Sequence, residues 1–511
     1  MAEAAVVLGL TVLTVVLVTV IGLFVSRGRV RSVEDYIAAR DSIGSGTLSA
    51  SVVASMMGAW ILFSPAEAGA VFGGIPAILG YAVGSAIPLL LFIPIGRRIR
   101  TLIPAGHSLT EYAYARFGPR MYGFVLVVSV FYMFMFLAAE MTGIAGALAF
   151  VAGIPRWQTS LLIGGFVLAY TVYGGLVASI VTDTLQTLVI LPVLAIGFAG
   201  AVLALGGTGT VHETTTTTDP TLLDPAFGPG VAFGVYIAIA IVGANMLNQG
   251  MWQRVYAADG SPSLRRGFGV AALLVIPMVA LAGLFGIAAA GFGLVDEAAP
   301  SLALFLVMDM VAPDWITLLV VLLAVLLVMS SADTMFNAIA SVITADLARI
   351  VDTPDQRMLW IAGRVVTIAV ALGAIAIGSR GYSVLELFLL ADLVAAAVVV
   401  PFLAGMYTDR LSGSGALISS MAGVVVGIVY FPLIRGLLSE IPGLAGLLPG
   451  ASFLVAFGGA LAVSTALTVL ATATGSAGVD LGSLDRKIKS LDEPVRGGRA
   501  ETPDIDRWGE R

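Results

Sequence analysis

Cysteine is absent from the 511 residues of the chain, and histidine and lysine each occur only twice. The lack of cysteine excludes disulfides, thiolate metal sites and a catalytic thiol. His107 and His212 lie far apart in predicted loops, which argues against a histidine metal cluster. Both lysines, Lys487 and Lys489, lie near the C-terminus. No glycine-rich phosphate loop of the Walker type occurs, which argues against ATP-driven transport.

Apolar residues dominate the amino-acid composition. The chain is 59% hydrophobic and 11% charged, with a mean hydropathy of +1.01, a composition typical of a polytopic membrane protein. Apolar segments long enough to cross a bilayer recur along the chain. We therefore predict an all-α integral membrane protein with about thirteen transmembrane helices. They are expected at residues 5–26, 45–72, 78–100, 121–151, 158–174, 179–205, 231–253, 268–293, 315–346, 360–379, 383–407, 413–435 and 451–473.

Arginine is distributed unevenly between the predicted loops. The N-terminal apolar run is too long for a signal peptide, and its arginines follow the run instead of preceding it. The positive-inside rule predicts an N-terminus outside the cell membrane and a cytoplasmic C-terminus. The polar segment 474–511 is predicted to be a disordered cytoplasmic tail. The arginines that carry this orientation are Arg27, Arg29, Arg31, Arg40, Arg97, Arg98, Arg100, Arg116, Arg120, Arg254, Arg265, Arg266, Arg349, Arg357 and Arg410.

The span 315–346 contains polar residues, which are costly in the hydrocarbon core and therefore need an explanation. Ser330, Asp333, Thr334 and Asn337 follow an i, i+3, i+4, i+7 pattern and share one helical face, and Ser331 stands beside them. Oxygen ligands of this kind suit a small hard cation such as sodium. A serine in a membrane helix also commonly bonds its own backbone, so that alternative stays open.

Other membrane spans also contain small, polar or acidic residues. The span 45–72 contains small residues and Pro65, which favour either an interrupted helix that binds ions and solute or a close helix–helix contact. Asp183, near the end of another span, is expected either to stabilise a helix N-terminus or to complete a cation site. Three acids, Glu67, Glu140 and Glu386, are expected near span ends and receive no role. Asn245, Asn248, Gln249, Gln253 and Asp392 are further polar residues within predicted spans.

The chain contains five characteristic fragments in this order: "HSLTEYAYARFG", "YTVYGGLVASIVTDTLQ", "NQGMWQRVYAADG", "SSADTMFNAIASVITADL" and "LFLLADLVAAAVVVPFLAGMYTDRLSGSGALISSMAG". Together they resemble the sodium–solute symporter family, over about residues 30–430. The resemblance implies a leucine-transporter-type fold with two inverted five-helix repeats. It implies an extra transmembrane helix at 1–30, repeats at 45–205 and 231–407, and two appended helices at 413–473.

The same resemblance implies binding sites. The main sodium site maps onto Ala54, Met57, Leu327, Ser330 and Ser331. A possible second sodium site maps onto Asp183, Ser330, Asp333 and Thr334. Solute binding maps onto Met56, Gly58, Trp60 and Asn245. The implied partners are sodium, a small-molecule solute and the lipid bilayer, and we expect no nucleic-acid partner.

The sequence departs from the family at positions that concern the solute. Met56 replaces the aspartate of the proline-transporting branch, and the membrane spans have no lysine like that of some sugar carriers. Ile241 and Ala244 take the place of polar residues that sugar carriers use. We therefore expect import of a small amino acid such as proline, or of a carboxylate, coupled to sodium. Proton coupling through Asp183 or Asp333 and a membrane sensor on the same fold remain alternatives, and an enzyme is not expected.

Overall fold

The structure is a computed structural model that describes residues 3–26, 39–295, 300–311, 313–350, 356–441, 448–476 and 478–488. Regular structure in these ranges is helical. The α-helices, in chain order, are α1 Ala4–Ser26, α2 Ser45–Met56, α3 Ser64–Val71, α4 Gly74–Leu102, α5 Leu109–Phe117, α6 Pro119–Ala152, α7 Arg156–Ala204, α8 Gly207–Thr218, α9 Gly228–Met246, α10 Gln249–Ala257, α11 Ser261–Gly291, α12 Ala303–Val311, α13 Asp314–Ile350, α14 Gln356–Gly378, α15 Val384–Ala404, α16 Gly413–Tyr430, α17 Pro432–Ser439 and α18 Phe453–Thr474.

Eleven described helices are long and apolar enough to cross a membrane, and a bent pair formed by α2 and the segment Ala59–Val71 raises the number to twelve. The expected number of thirteen is therefore not confirmed. Twelve of the expected spans correspond to these elements. The remaining one, 158–174, falls within α7, for which only Leu176–Ala204 is a candidate span.

The two ends of α7 lie beside the same end of α6. A straight helix of its 49 residues would be about 74 Å long, more than twice the thickness of a hydrocarbon core. At the start of α7, the Arg156 side chain lies beside Gly146 of α6. Near its end, Gly197 faces Val320, which lines a small cavity together with Val151 of α6. The chain must therefore turn back on itself within α7.

Two of the predicted spans contain a break in the helix. The chain bends by 62° between α2 and the segment Ala59–Val71, and Met57 and Gly58 at the break are non-helical. A second interruption separates α9 from α10 at Leu247 and Asn248, and the Asn248 side chain accepts a hydrogen bond from the Gly250 N–H. The sequence predicted a span over 231–253; the structure has a candidate span at Gly228–Met246 and a separate helix, α10, after the break. An amide side chain caps the new helix start, a signal that apolar periodicity does not show.

Close approaches through glycine hold the interrupted helices against their neighbours. A methyl group on Gly80 of α4 would lie 2.0 Å from the Gly234 Cα of α9, so the two backbones touch. Among the eleven unbroken candidate spans, α13 and α15 have the largest buried share, 72% of their apolar stretches, whereas α1 has 33% buried. The polar residues of α13 therefore face protein and not lipid, as membrane packing requires of them.

Part of the predicted disordered tail is ordered. Residues Leu481–Ser483 and Asp485–Lys487 form short 3-10 turns, and Leu484 between them is fully buried. The Lys487 ammonium donates to the Ala115 carbonyl at 2.8 Å. The expectation of disorder is thus wrong for 478–488, because an apolar anchor and a charged hydrogen bond dock this stretch. Residues 489–511 lie outside the described part of the chain, as do Arg27, Arg29 and Arg31.

The orientation in the membrane stays a prediction and can be tested with cysteine labelling, since the native chain has no cysteine. Thr216, on α8, and Ser261, at the start of α11, are both exposed. We expect Thr216→Cys to react with an impermeant maleimide on intact cells and Ser261→Cys to react only after permeabilisation. Equal labelling of both on intact cells would contradict the orientation.

Candidate functional site

A buried carboxylate, Asp183 of α7, joins four helices near the first break. Its Oδ2 accepts hydrogen bonds from the Ser51 and Ser55 hydroxyls of α2 at 2.8 and 2.9 Å. Its Oδ1 accepts one from the Ser330 hydroxyl of α13 at 2.5 Å. The Arg254 guanidinium of α10 donates to Oδ2 at 2.8 Å, and neither side chain of this ion pair is exposed. Every bond here is between different elements, so the carboxylate fixes their relative positions.

Arg254 is a member of this site that the sequence interpretation missed. It was counted among the arginines of cytoplasmic loops, but it is fully buried. Its guanidinium also donates to the Ser51 and Thr334 hydroxyls at 3.0 and 2.9 Å and to the Gly250 carbonyl at 3.0 Å. The second break allows these contacts, because α10 begins inside the protein as a new helix and does not extend α9. Within the structure, Arg254 supplies the positive charge beside Asp183.

The shared face predicted on α13 divides between two neighbouring networks. Asp333 accepts hydrogen bonds from the Ser179 and Thr182 hydroxyls of α7 at 2.7 and 3.3 Å. Thr334 donates to Ser55 at 3.0 Å and lies with the Asp183 network. The Thr334 hydroxyl is 3.4 Å from an Asp333 carboxylate oxygen, which connects the two networks. Asn337 is buried one turn further along, and neither of its amide atoms has a hydrogen-bond partner among the described residues.

Glu140 of α6 binds the first break directly. Its Oε2 accepts from the Ala59 N–H at 2.7 Å and from the Ser331 hydroxyl at 2.7 Å, and its Oε1 accepts from the Trp60 N–H at 3.3 Å. Glu140 has no exposed surface and lies well inside α6, so the expectation that it lies near a span end was wrong. The carboxylate satisfies backbone donors that the broken helix exposes. A capping acid on a different helix leaves no local sequence signal.

The residues mapped onto the main sodium site lie on α2, at the break that follows it and on α13, and all are buried. The structure joins these helices through Ser55 and Thr334. The Ser331 hydroxyl, besides its bond to Glu140, lies 3.0 Å from the Leu327 carbonyl. These contacts do not show which atoms would coordinate a metal ion. The assignment of Ala54, Met57, Leu327, Ser330 and Ser331 to sodium therefore stays a prediction.

The residues mapped onto solute binding surround the breaks. The Trp60 indole N–H donates to the Met56 carbonyl at 2.9 Å, and the Trp60 ring stacks on Tyr81 with centroids 5.6 Å apart. The Asn245 amide donates to the Ile241 carbonyl of its own helix at 2.9 Å. Position 58 has no room for a side chain, because a methyl group on Gly58 would lie 2.2 Å from a Glu140 oxygen.

Aromatic side chains that the sequence interpretation did not single out complete this region. Tyr132 and Phe136 precede Glu140 on α6 at intervals of four residues, so the three share a face. Phe136 packs edge-on against Phe388 of α15, with centroids 5.0 Å apart, and the Tyr132 ring packs edge-on against Phe136, with centroids 6.1 Å apart. The spacing of four was the signal that could have found them.

The model for the sodium:solute symporter family matches residues 36–423. The chain belongs to this family. It is 25% identical to a spermidine transporter of Candida albicans, over 80% of this chain and 78% of the relative. It is 27% identical to the sodium/glucose cotransporter of Vibrio parahaemolyticus, over 79% and 81%. A sodium-coupled sialic acid symporter in an outward-open state has a similar structure, with a TM-score of 0.69 and 18% identity over 91% of this chain and 98% of that one.

These likenesses confirm the predicted family and the leucine-transporter-type fold. The symporter family and the curated relatives are membrane transporters, so the chain is a transporter and not an enzyme. The limits of the two repeats and the assignment of individual residues to sodium or solute stay predictions.

The ion pair between Asp183 and Arg254 generates a stability prediction. Arg254→Met leaves a buried carboxylate without its cation, which typically costs about 3–5 kcal/mol. We expect a clear fall in the melting temperature of the detergent-purified symporter. The double variant Asp183→Asn/Arg254→Met removes both charges and should melt above Arg254→Met alone. A single variant as stable as the native protein would show that the pair does not hold these helices together.

The contact between Gly58 and Glu140 generates a second prediction. Gly58→Ala forces the carboxylate away from the Ala59 N–H and the Ser331 hydroxyl, at a cost of about 1–3 kcal/mol. We expect a lower melting temperature and loss of most transport. Gly46→Ala is the matched control on α2, because a methyl group there meets no atom within 4 Å. Equal behaviour of the two variants would contradict this role for Glu140.

Proposed function

We propose that this symporter couples the inward movement of sodium to the import of a small organic solute by alternating access. The observation that carries the proposal is the set of buried hydroxyls and carboxylates where α13 meets the broken helix. Ser330 and Ser331, adjacent on α13, donate to carboxylates on two other helices, Asp183 and Glu140. Family membership and the sodium-coupled relatives support the same reading.

The hydroxyl geometry suits a cation. A serine hydroxyl that donates its proton to a carboxylate keeps its oxygen lone pairs for another partner. The two carboxylates also place negative charge close to those oxygens, which favours sodium over an anion. In the proposed main site, the backbone carbonyls of Ala54, Met57 and Leu327 complete an oxygen shell with Ser330 and Ser331. An ion held there would tie α2 to α13 and favour one state of the transport cycle.

A second sodium at Asp183 would meet competition. The Arg254 guanidinium already donates to Asp183 Oδ2, so an ion at that carboxylate must displace it or share it. Of the other proposed ligands, Ser330 and Thr334 lie in the Asp183 network, whereas Asp333 accepts from Ser179 and Thr182. We therefore propose that the main site drives transport and that Asp183 takes a second sodium only when Arg254 moves.

The solute is a separate question from the ion. The relatives are named for spermidine and for glucose, so their names point to more than one chemical class. The expectation of proline or a carboxylate rests on sequence differences within the family. Proton coupling through a buried acid is the rival for the driving ion, and it predicts uptake without sodium.

Serine substitutions test the sodium site. Ser330→Ala and Ser331→Ala each remove one oxygen ligand, so the cost of dehydrating the ion is less well compensated. We expect the half-saturating sodium concentration for uptake into proteoliposomes to rise by about tenfold or more, where each decade is about 1.4 kcal/mol. Maximal uptake at saturating sodium should change much less.

Ser420→Ala is the control for this measurement. Ser420 is also fully buried in a membrane helix, α16, but its hydroxyl donates to the Ala416 carbonyl of its own helix. Its replacement should leave the sodium dependence unchanged. Native sodium dependence in the Ser330→Ala/Ser331→Ala variant, or equal uptake driven by a proton gradient without sodium, would contradict the proposal.

A further inference from the structure

Glu140 and Asp392 are buried acids with no basic partner among the described residues. Glu140 is fully buried and its hydrogen-bond donors are two backbone amides and a serine hydroxyl. Asp392 of α15 has 4% of its surface exposed, and its Oδ1 has no hydrogen-bond partner in the described part of the chain. A buried carboxylate without a counter-charge is costly, so its presence calls for an explanation.

The two acids lie beside one aromatic cluster. Phe136, one turn before Glu140 on α6, packs against Phe388, one turn before Asp392 on α15, and the Tyr132 ring packs against Phe136. The Tyr81 ring of α4 stacks on Trp60, and the Trp60 backbone N–H donates to Glu140. We call this group the acidic aromatic chamber: Trp60, Tyr81, Tyr132, Glu140 and Asp392.

The chamber adjoins the first helix break. Trp60 follows this break, and Glu140 accepts hydrogen bonds from the Ala59 and Trp60 N–H groups there. Interrupted helices at the middle of the membrane are where secondary transporters of this architecture bind solute. The chamber thus lies where a solute would have to be recognised.

Nearby protein groups do not balance the charge of the chamber. Arg254 is fully buried but is paired with Asp183, and its other donors go to Ser51, Thr334 and Gly250. An anionic solute placed between Glu140 and Asp392 would be repelled by both. A cationic solute would neutralise them, and the faces of Trp60 and Tyr81 attract cations as well.

We propose that the transported solute is an organic cation, an ammonium, guanidinium or amidinium compound, whose positive charge is held by Glu140 and Asp392 in the acidic aromatic chamber. This rests on the proposed sodium-coupled symport and specifies its solute. It departs from the expectation of a carboxylate. Planar N–H donors match the two carboxylate oxygens of an acid, and the aromatic walls exclude water from the contact.

Charge-matched compounds test the proposal. The purified full-length symporter in proteoliposomes is given an inward sodium gradient, and sodium-dependent uptake is measured for sets of nearly equal shape. One set is acetamidinium, acetamide and acetate; a second is guanidinium and urea; a third is 1,4-diaminobutane, 1,4-butanediol and succinate. Proline and glucose complete the panel. We expect uptake of the cation to exceed that of its neutral and anionic counterparts at least tenfold in at least one set.

The possible results separate the two proposals. Sodium-dependent uptake of a neutral or anionic compound at the level of its cationic counterpart, or uptake of proline or glucose alone, would overturn the cation proposal and leave sodium symport intact. No sodium-dependent uptake of any compound in the panel would count against sodium symport itself, and the cation proposal would fail with it.

Asp392→Asn tests the site. Because Asp392 Oδ1 has no hydrogen-bond partner, the substitution removes charge at that oxygen without breaking a bond there. We expect the half-saturating concentration of the preferred cation to rise at least tenfold, while the melting temperature without solute stays equal to or above that of the native symporter. Glu140→Gln should weaken cation uptake in the same way, because it also removes a negative charge. Its amide oxygen can still accept the hydrogen bond from the Ala59 N–H.

Glu386→Gln is the matched control, because Glu386 lies on the same helix as Asp392 and is exposed. It should leave the cation dependence unchanged. Native cation affinity in Asp392→Asn, with native stability, would overturn the assignment of Asp392 to the solute. As a second measurement, the preferred cation should raise the melting temperature of the native symporter in sodium, and this rise should be absent in Asp392→Asn.

Discussion

The carboxylate of Asp183 is the contact on which the arrangement of the core depends. A single oxygen, Oδ2, receives donors from α2 and α10, while the other oxygen receives a donor from α13. The cost of removing a charge from water is compensated only when all of its hydrogen-bond and ion-pair partners are in place. These helices therefore hold one another in position. The helices that carry the two breaks and the proposed sodium ligands are therefore linked through one residue of α7.

Apolar periodicity and composition predicted the membrane helices well, because the bilayer imposes length and hydropathy directly on the sequence. The resemblance to the symporter family grouped Ser330 and Asp183 as candidates for one site, and the structure brings the two into contact. Periodicity specifies the face of a helix but not the partner on that face. Asp333 lies one turn from Ser330, yet it contacts Ser179 and Thr182 at a different level of α7.

The features that the sequence did not reveal depend on contacts distant along the chain. Arg254 was taken for a loop residue because a short polar stretch after an apolar run is usually the end of a span. The break at Leu247 and Asn248 instead keeps α10 inside the protein. Glu140 caps a break that is 80 residues or more away in sequence. Neither the burial of Arg254 nor the contact of Glu140 with the break can be read from a local sequence pattern. Hydrophobic spans are local patterns and were predictable.

Glu140 connects the proposed ion site to the proposed solute site. One of its oxygens accepts from Ser331, a proposed sodium ligand, and from Ala59, and the other accepts from Trp60 in the chamber. A sodium ion beside Ser331 draws on the same negative charge that would hold a cationic solute. The two cations would therefore repel each other unless Asp392 takes part of the solute charge and the ion fixes Glu140 against the broken helix. Because Arg254 already neutralises Asp183, the proposals assign these two charges to Glu140 and Asp392, and coupling between ion and solute would follow from their shared contacts at the first break.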